Sequence, residues 1–346
     1  MRIAAVRHAL PSCKITNDWV VSRVAQASAG HMSPSELSQL ELRLRRLLAA
    51  AGTEVRYALT ENERAVDLIR DAGRAALREA GVEPSDVDLV IYSSVARGWI
   101  EPATAPLVQA ELSLVNASAF DIMEACAGWL RSLQVAHNYL RSGSARCALL
   151  VNCECGLYQG HADWQFRSVE ELDHRFAQFT IGEATTATVV TNGISREDDF
   201  YFSFRTLGEG LDLCMIPLPL ADRFVGKKLD PRLVPLRFFA LSAELLGRAQ
   251  ESLAELFRSD PMLRDRPYDI SFGHEASRKV SEAVARSLGV NTVYFPTHST
   301  YGNTVSASVP LAMSLAIEQG RLKRGDRVLV IVGSAGMTIG FVAFTF

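Results

Sequence analysis

Residues 125–154 read ACAGWLRSLQVAHNYLRSGSARCALLVNCE, and residues 302–335 read GNTVSASVPLAMSLAIEQGRLKRGDRVLVIVGSA. Each stretch starts with small residues, continues with helical apolar spacing, turns near a glycine and ends in a β-branched apolar run. A long helical pattern and a short strand pattern also precede each stretch, at residues 61–93 and 239–274. This internal repeat of pattern predicts two similar α/β halves.

Five apolar runs have the composition of buried strands, and helical patterns lie between them. Buried strands that alternate with helices predict a sheet rich in parallel pairs. The helical pattern at 61–80 ends at Gly81, as expected for a glycine after a helix C-terminus. The predicted strands are 88–93, 147–152, 186–191, 327–332 and 339–344.

The bulk composition limits the class of protein. The chain has 346 residues, 48% of them hydrophobic, and a formal net charge of −3 without a basic stripe, which argues against nucleic acid as its main partner. Residues 1–11 do not resemble a signal peptide, and no apolar run reaches the roughly 18 residues of a membrane span. Six cysteines are too few for a disulfide framework, so we expect reduced thiols and a cytoplasmic location. The Cys153-x-Cys155 pair is interpreted as packed thiols rather than a metal site.

Two segments lie outside the repeat. Residues 15–54 contain an amphipathic helix with a leucine face, for which core packing or a dimer contact is expected rather than a membrane surface. Residues 157–180 are aromatic and charged, and we expect them to cap a pocket. The leucines of that face are Leu37, Leu40, Leu44, Leu47 and Leu48.

Three residues are candidates for chemistry. Cys126 lies at a helix start, where the positive end of the helix dipole lowers a thiol pKa, although a packed core thiol is the alternative. His274 follows a strand, at the edge where open α/β sheets bind ligands, or it is a hydrogen-bonded structural histidine. Asn303 follows a glycine, a pattern that also fits a simple turn. The repeat places Cys126 and Asn303 at equivalent helix starts, and it brings these helix starts and the strand end with His274 to one face.

The segments DIMEACAGW, GHEAS, YGNTVSASVPLA and GSAGMTIGFVAF resemble, in order and spacing, the motifs of 3-ketoacyl-acyl-carrier-protein synthase III enzymes of the thiolase superfamily. The resemblance covers residues 60–346. It implies a thiolase-like, five-layered α-β-α-β-α fold with two pseudo-symmetric halves, residues 1–193 with the cysteine and 194–346 with the histidine and asparagine. It also implies a homodimer.

The resemblance assigns roles to individual residues. Cys126 would accept the acyl group as a thioester, and His274 and Asn303 would hydrogen-bond the carbonyl of the second thioester. The backbone N–H groups of Cys126 and Ala335 would form the oxyanion hole of acyl transfer. The substrates would be acyl-coenzyme A or acyl-carrier-protein thioesters, with no bound cofactor and no metal.

The sequence also departs from the family pattern. The usual His-Gln-Ala-Asn is here His274-Glu275-Ala276-Ser277, which makes Glu275 and Ser277 candidates for the acceptor side. The family's Trp and Arg near the coenzyme A nucleotide are not recognisable, and Met337 and Ile339 replace two aromatic residues. These changes favour a specialised member of secondary metabolism.

Three functions remain open from the sequence. The first is acyl transfer through Cys126 followed by decarboxylative Claisen condensation with a malonyl-type thioester, in fatty-acid-like or polyketide biosynthesis. The second is transfer of the Cys126-bound acyl group to a hydroxyl or amine of a small molecule. The third is a non-catalytic subunit that shapes a partner's site, which the intact Cys126, His274 and Asn303 disfavour.

Overall fold

The computed structural model describes residues 1–193, 200–289 and 292–346. Its strands are β1 (Arg2–Ala9), β2 (Cys13–Thr16), β3 (Val55–Ala58), β4 (Leu89–Tyr92), β5 (Ser118–Asp121), β6 (Cys147–Cys153), β7 (Thr185–Thr191), β8 (Tyr201–Thr206), β9 (Cys214–Met215), β10 (Phe239–Ala240), β11 (Ile270–Gly273), β12 (Val293–Tyr294), β13 (Arg327–Gly333) and β14 (Thr338–Thr345).

The α-helices are α1 (Asn17–Ser28), α2 (Pro34–Ala51), α3 (Ala65–Ala80), α4 (Ala105–Glu111), α5 (Gly128–Ser142), α6 (Leu157–His161), α7 (Leu172–Arg175), α8 (Ala221–Val225), α9 (Ser242–Ser259), α10 (Pro261–Arg264), α11 (Arg278–Ser287), α12 (His298–Tyr301) and α13 (Ser308–Glu318). Short 3₁₀ turns precede α5 at Ala125–Ala127 and α13 at Val305–Ala307. None of the described helices combines the length and the apolar character needed to cross a membrane.

Two five-stranded sheets share one topology. The first has the order β1-β7-β6-β4-β5 and the second the order β8-β14-β13-β11-β12. In both sheets the first three strands are antiparallel and the last three are parallel. The predicted repeat is therefore present, and all five predicted strands are confirmed, with ends shifted by one residue at most.

The hydrophobic clusters show five layers. α3 and α4 pack on the outer face of the first sheet. α5 and α13 lie between the two sheets, where they share one core with strands of both. α9 and α11 cover the outer face of the second sheet. This is the expected α-β-α-β-α order. The expected boundary at residues 193 and 194 falls at the edge of 194–199, outside the described residues.

Strand register fixes which residues are equivalent in the two halves. β4 pairs with β6 through Leu89 and Ala148, and β11 pairs with β13 through Ile270 and Val328. Ala148 of β6 therefore corresponds to Val328 of β13, which is an offset of 180 residues. The same offset relates two strained positions with positive φ, Ala125 at 43° and Val305 at 49°.

This offset corrects one expectation of the repeat. The equivalent of Cys126 is Ser306, at the centre of the 3₁₀ turn Val305–Ala307, and not Asn303. Asn303 lies three residues earlier, in the loop that enters the turn. By the same offset, Glu154 is the equivalent of Ser334.

The segments outside the repeat form a separate hydrophobic cluster, against which Cys126 also packs. α2 starts with a capping box between Ser33 and Glu36, which satisfies N–H groups at its N-terminus. Its leucines Leu40, Leu44 and Leu48 are fully buried, whereas Leu37 and Leu47 are partly buried. They pack against aromatic residues of 157–181.

Candidate active site

An apolar cavity of about 710 Å³ opens at the carboxyl ends of β11, β12 and β13. Cys126, His274 and Asn303 all line it, together with Ser277 and Ala335. Phe176, Ala177 and Thr180 also contribute, so the C-terminal end of the segment 157–180, which we expected to cap a pocket, lines part of this one. The structure thus brings the three sequence candidates to one cavity.

Cys126 occupies the centre of the 3₁₀ turn before α5. Its partners come from the other half of the chain: the Ala335 N–H and the Ser334 hydroxyl face the sulfur. The Ser334 hydroxyl oxygen also accepts a hydrogen bond from the Ala127 N–H at 3.2 Å, which ties the turn to the end of β13. Ala335 therefore presents an N–H donor at the Cys126 sulfur.

Burial dominates the electrostatics of this thiol. It raises the pKa of Cys126 well above the usual range, and the nearby Cys214 and Glu154 raise it further, while Ala335 and Ser334 oppose the shift. The expected lowering of the pKa by the helix dipole is therefore wrong. α5 begins only at Gly128, and desolvation of the thiolate outweighs the dipole at this depth.

His274 follows β11 and continues its register, since its N–H donates to Ile331 O at 3.0 Å. Its Nδ1 lies 3.3 Å from Ser308 Oγ, at the start of α13. Burial lowers the pKa of His274 to about 4, the neighbouring His298 adds to this shift, and a hydrogen bond to the Val305 carbonyl opposes it. At neutral pH the imidazole is uncharged and carries a single N–H, for which a carbonyl bound in the cavity would compete with the Val305 carbonyl.

Asn303 is held on both sides by main-chain bonds. Its N–H donates to Thr180 O at 2.7 Å, and its carbonyl accepts from Gly182 N at 3.0 Å. Its side-chain oxygen accepts from the Val305 N–H at 2.9 Å. That bond fixes the amide so that its NH₂ group is left to donate toward the cavity.

Contrary to the expectation for the acceptor side, Glu275 is not part of the cavity wall. Side chains alternate as the chain leaves β11, so His274 and Ala276 face the cavity and Glu275 faces away. Its carboxylate accepts from Thr297 N at 2.6 Å and from His298 N at 2.7 Å. Ser277 does line the cavity, and its hydroxyl donates to Ala51 O at 3.2 Å.

Comparison with known proteins identifies the family. Residues 120–208 and 263–346 match the family models for 3-oxoacyl-[acyl-carrier-protein (ACP)] synthase III and for its C-terminal part. A beta-ketoacyl-[acyl-carrier-protein] synthase III from Rhizorhabdus wittichii is 30% identical over 307 residues, which cover 87% of this chain and 90% of that protein. The chain belongs to the 3-oxoacyl-ACP synthase III family. It is therefore an acyltransferase of the condensing type.

Other similar proteins agree with this assignment. A synthase III from Clostridium perfringens is 29% identical over 298 residues, 84% of this chain and 86% of that protein. The cerulenin-bound OleA of Xanthomonas campestris superposes with a TM-score of 0.81 at 23% identity, covering 99% and 96% of the two chains. The synthase III of Aquifex aeolicus gives a TM-score of 0.78 at 24% identity, covering 100% and 99%. The thiolase-like fold is thus confirmed.

Sequence reasoning missed several polar residues of this synthase III site. Ser334 and Ser308 contact Cys126 and His274, and Glu154 lies buried beside the Cys126 turn. A signal existed for two of them, because VNCECG at 151–156 and IVGSAG at 331–336 are equivalent strand ends. Register was needed to align these segments, since their residues are not identical.

Proposed function

We propose that this synthase III forms an acyl thioester on Cys126 and then condenses it with a malonyl-type thioester. The observation that carries the proposal is the common cavity of Cys126, His274 and Asn303. In the first step, the Cys126 sulfur attacks an acyl thioester, and the coenzyme A or carrier thiol leaves with the proton. The N–H groups of Cys126 and Ala335 stabilise the oxyanion.

In the second step, the malonyl-type thioester loses carbon dioxide and leaves an enolate. His274 and Asn303 are suited to this charge, because each offers a neutral N–H donor. The enolate carbon attacks the Cys126 thioester carbonyl, a carbon–carbon bond forms, and the cysteine sulfur leaves and takes up a proton. The product is a 3-ketoacyl thioester.

The described cavity wall favours decarboxylation over proton abstraction. Removing a proton from carbon or from an alcohol needs a general base with a suitable pKa. His274, with its pKa near 4, is a weak base. Glu124, which also lines the cavity, is paired with Arg131 at 2.6 Å. Transfer to a hydroxyl or amine was expected to draw on Glu275, whose side chain faces away, so this alternative has less support.

Two measurements on the purified protein test the proposal. Intact-mass spectrometry after incubation with a panel of acyl-coenzyme A thioesters should show an acyl adduct, absent in Cys126→Ala. Addition of malonyl-coenzyme A should then release carbon dioxide and a 3-ketoacyl product. Equal labelling of the alanine variant would contradict the nucleophile assignment. An acyl adduct that passes only to alcohols or amines would establish the alternative activity.

A further inference from the structure

Glu154 is a fully buried carboxylate at the end of β6 that the two chemical steps above do not use. It does not line the cavity, yet it lies close enough to Cys126 to raise the pKa of that thiol. Burial also raises the pKa of Glu154 itself, and hydrogen bonds to it oppose that shift. A carboxylate at this depth needs several donors to be tolerated, and the identity of those donors indicates its role.

The donors come from two separate segments. Ser306 donates through its hydroxyl at 2.5 Å and through its N–H at 3.3 Å. On the other side, the N–H groups of Val95 and Ala96 donate, each at 3.1 Å. Glu154 therefore fastens the 3₁₀ turn Val305–Ala307 to the loop that follows β4.

This turn holds both proposed donors of the second step. The Val305 N–H fixes the side-chain oxygen of Asn303, and the Val305 carbonyl accepts from His274. Val305 is also a β-branched residue with φ of 49°, a conformation that persists only where surrounding contacts enforce it. The hydrogen bonds that Ser306, the residue after Val305, donates to Glu154 are contacts of this kind.

In the other half of the chain, the position equivalent to Glu154 is occupied by an uncharged residue. There Ser334 takes the position of Glu154 and faces Cys126, the equivalent of Ser306. The nucleophile thus has a neutral hydroxyl beside it, and the carboxylate is beside the serine. A carboxylate in the place of Ser334 would disfavour the thiolate further.

We infer that Glu154 is a positioning residue, which holds the Val305–Ser306 turn so that His274 and Asn303 donate to the carbonyl of the second thioester. The inference rests on the proposed function and adds that different residues support its two half-reactions. Glu154 acts on the condensation half-reaction, whereas acylation of Cys126 depends on Ala335 and Ser334.

The test measures the two half-reactions separately in Glu154→Gln and Ser306→Ala. A glutamine can accept from only one of the two donor groups, because its NH₂ would face N–H donors on the other side. Ser306→Ala removes the hydroxyl, which also contacts Ser93 O at 2.9 Å and Asn152 Nδ2 at 3.2 Å, and leaves the backbone unchanged. Asp88→Asn is the matched control, since Asp88 accepts from the N–H groups of Arg146 and Cys147 at the opposite end of the same strands.

We expect carbon dioxide release from malonyl-coenzyme A to fall by about 10²-fold in Glu154→Gln, as for a misplacement of roughly 1 Å. A smaller loss is expected in Ser306→Ala. Acylation of Cys126 by octanoyl-coenzyme A should stay within about threefold of wild type, and Asp88→Asn should keep both rates. Circular dichroism melting confirms folding.

Each alternative outcome is distinct. A parallel loss of both half-reactions, or no loss in either variant, would overturn the role of Glu154. A wild-type protein that is acylated but releases no carbon dioxide would instead reject the proposed condensation.

Discussion

Cys126 and Ser306 have the same backbone setting but opposite surroundings. Both follow a residue with positive φ in a 3₁₀ turn before a central helix. Cys126 faces an apolar cavity and neutral donors, whereas Ser306 is buried and bonded to a carboxylate. Burial raises the pKa of the Cys126 thiol, so we expect a bound substrate and the donors around the sulfur to contribute to any reactivity it has.

The raised pKa of Cys126 predicts slow alkylation at neutral pH. Only the thiolate reacts, and its fraction is small below the pKa. The rate of Cys126 modification by iodoacetamide should therefore rise about tenfold per pH unit from pH 7 to 9. Peptide mass spectrometry follows the rate, with a small thiol compound of ordinary pKa as the reference. A rate that levels off below pH 8 would show that the pKa is not raised.

The sequence allowed the three cavity residues to be predicted, but not how they are held. Cys126, His274 and Asn303 stand in recognisable motifs at element ends. Glu275 was misplaced because the face taken by a residue after a strand depends on alternation that continues into the loop. Glu154 could not be assigned, because its donors in Ser306 and Val95 are far away in sequence.

At the scale of elements, the loop with Asn303 depends on close contact with the segment before β7. Gly182 lies against it so closely that a Cβ atom there would be 1.9 Å from Tyr301 O. The two segments also exchange hydrogen bonds between Gly182, Thr180 and Asn303. Space at residue 182 is thus a condition for the position of Asn303.

Gly182→Ala should displace Asn303 and lower the free energy of unfolding by about 1–3 kcal/mol, as for overpacking. Carbon dioxide release should fall more than acylation of Cys126. Gly208→Ala is the control, because a Cβ atom at residue 208 meets no atom within 4 Å. Urea denaturation and the two half-reaction rates measure these effects. Equal changes of the free energy of unfolding and of the two rates in both variants would contradict the packing argument.

α2 contributes Leu47, Ala50 and Ala51 to the cavity wall, so its stability affects the site. Ser33→Ala removes the capping box and should lower the free energy of unfolding by about 1 kcal/mol. Ser38→Ala, an exposed serine later in the same helix, should have little effect. Thermal melting compares them, and an equal decrease in both would argue against a specific role of the cap.

The repeated elements could be predicted from apolar runs, but the edge strands could not. β1 and β8 join their sheets antiparallel to β7 and β14, and no local pattern specifies those partners. The helix predicted from residue 61 begins at Ala65, because Arg64 is extended. Long-range pairing decided the places of the two edge strands.

At the scale of the whole molecule, the two halves meet around two histidines, His274 and His298, whose pKa values are lowered. Burial lowers the pKa of His298 to about 4, as it does for His274. His298 is fully buried, with Nδ1 2.7 Å from Glu275 O and Nε2 2.6 Å from Thr53 Oγ1. It thus connects the loop after β11 to the segment after α2, and protonation there would act on the global fold.

The sign of the resulting pH dependence follows from linkage. The unfolded chain binds a proton at each histidine as pH falls through about 6.5, whereas the folded chain does so only near pH 4. The contribution of each histidine to stability is therefore complete above pH 6.5 and is lost as pH falls toward 4. Between pH 6.5 and 4, protonation of each histidine should lower the free energy of unfolding by roughly 3 kcal/mol. Glu275 acts in the opposite direction, because burial raises its pKa.

The variant His298→Asn isolates the contribution of His298 to this pH dependence. The contribution of Glu275 is retained, because its carboxylate still accepts a hydrogen bond from the N–H of residue 298. The variant should be less stable than wild type at pH 7.5, and the difference should shrink by about 2–3 kcal/mol between pH 7.5 and 4.5. Urea denaturation at four pH values measures it. A difference that is constant with pH would mean that His298 titrates alike in both states, and that its role is only that of a hydrogen-bonded side chain.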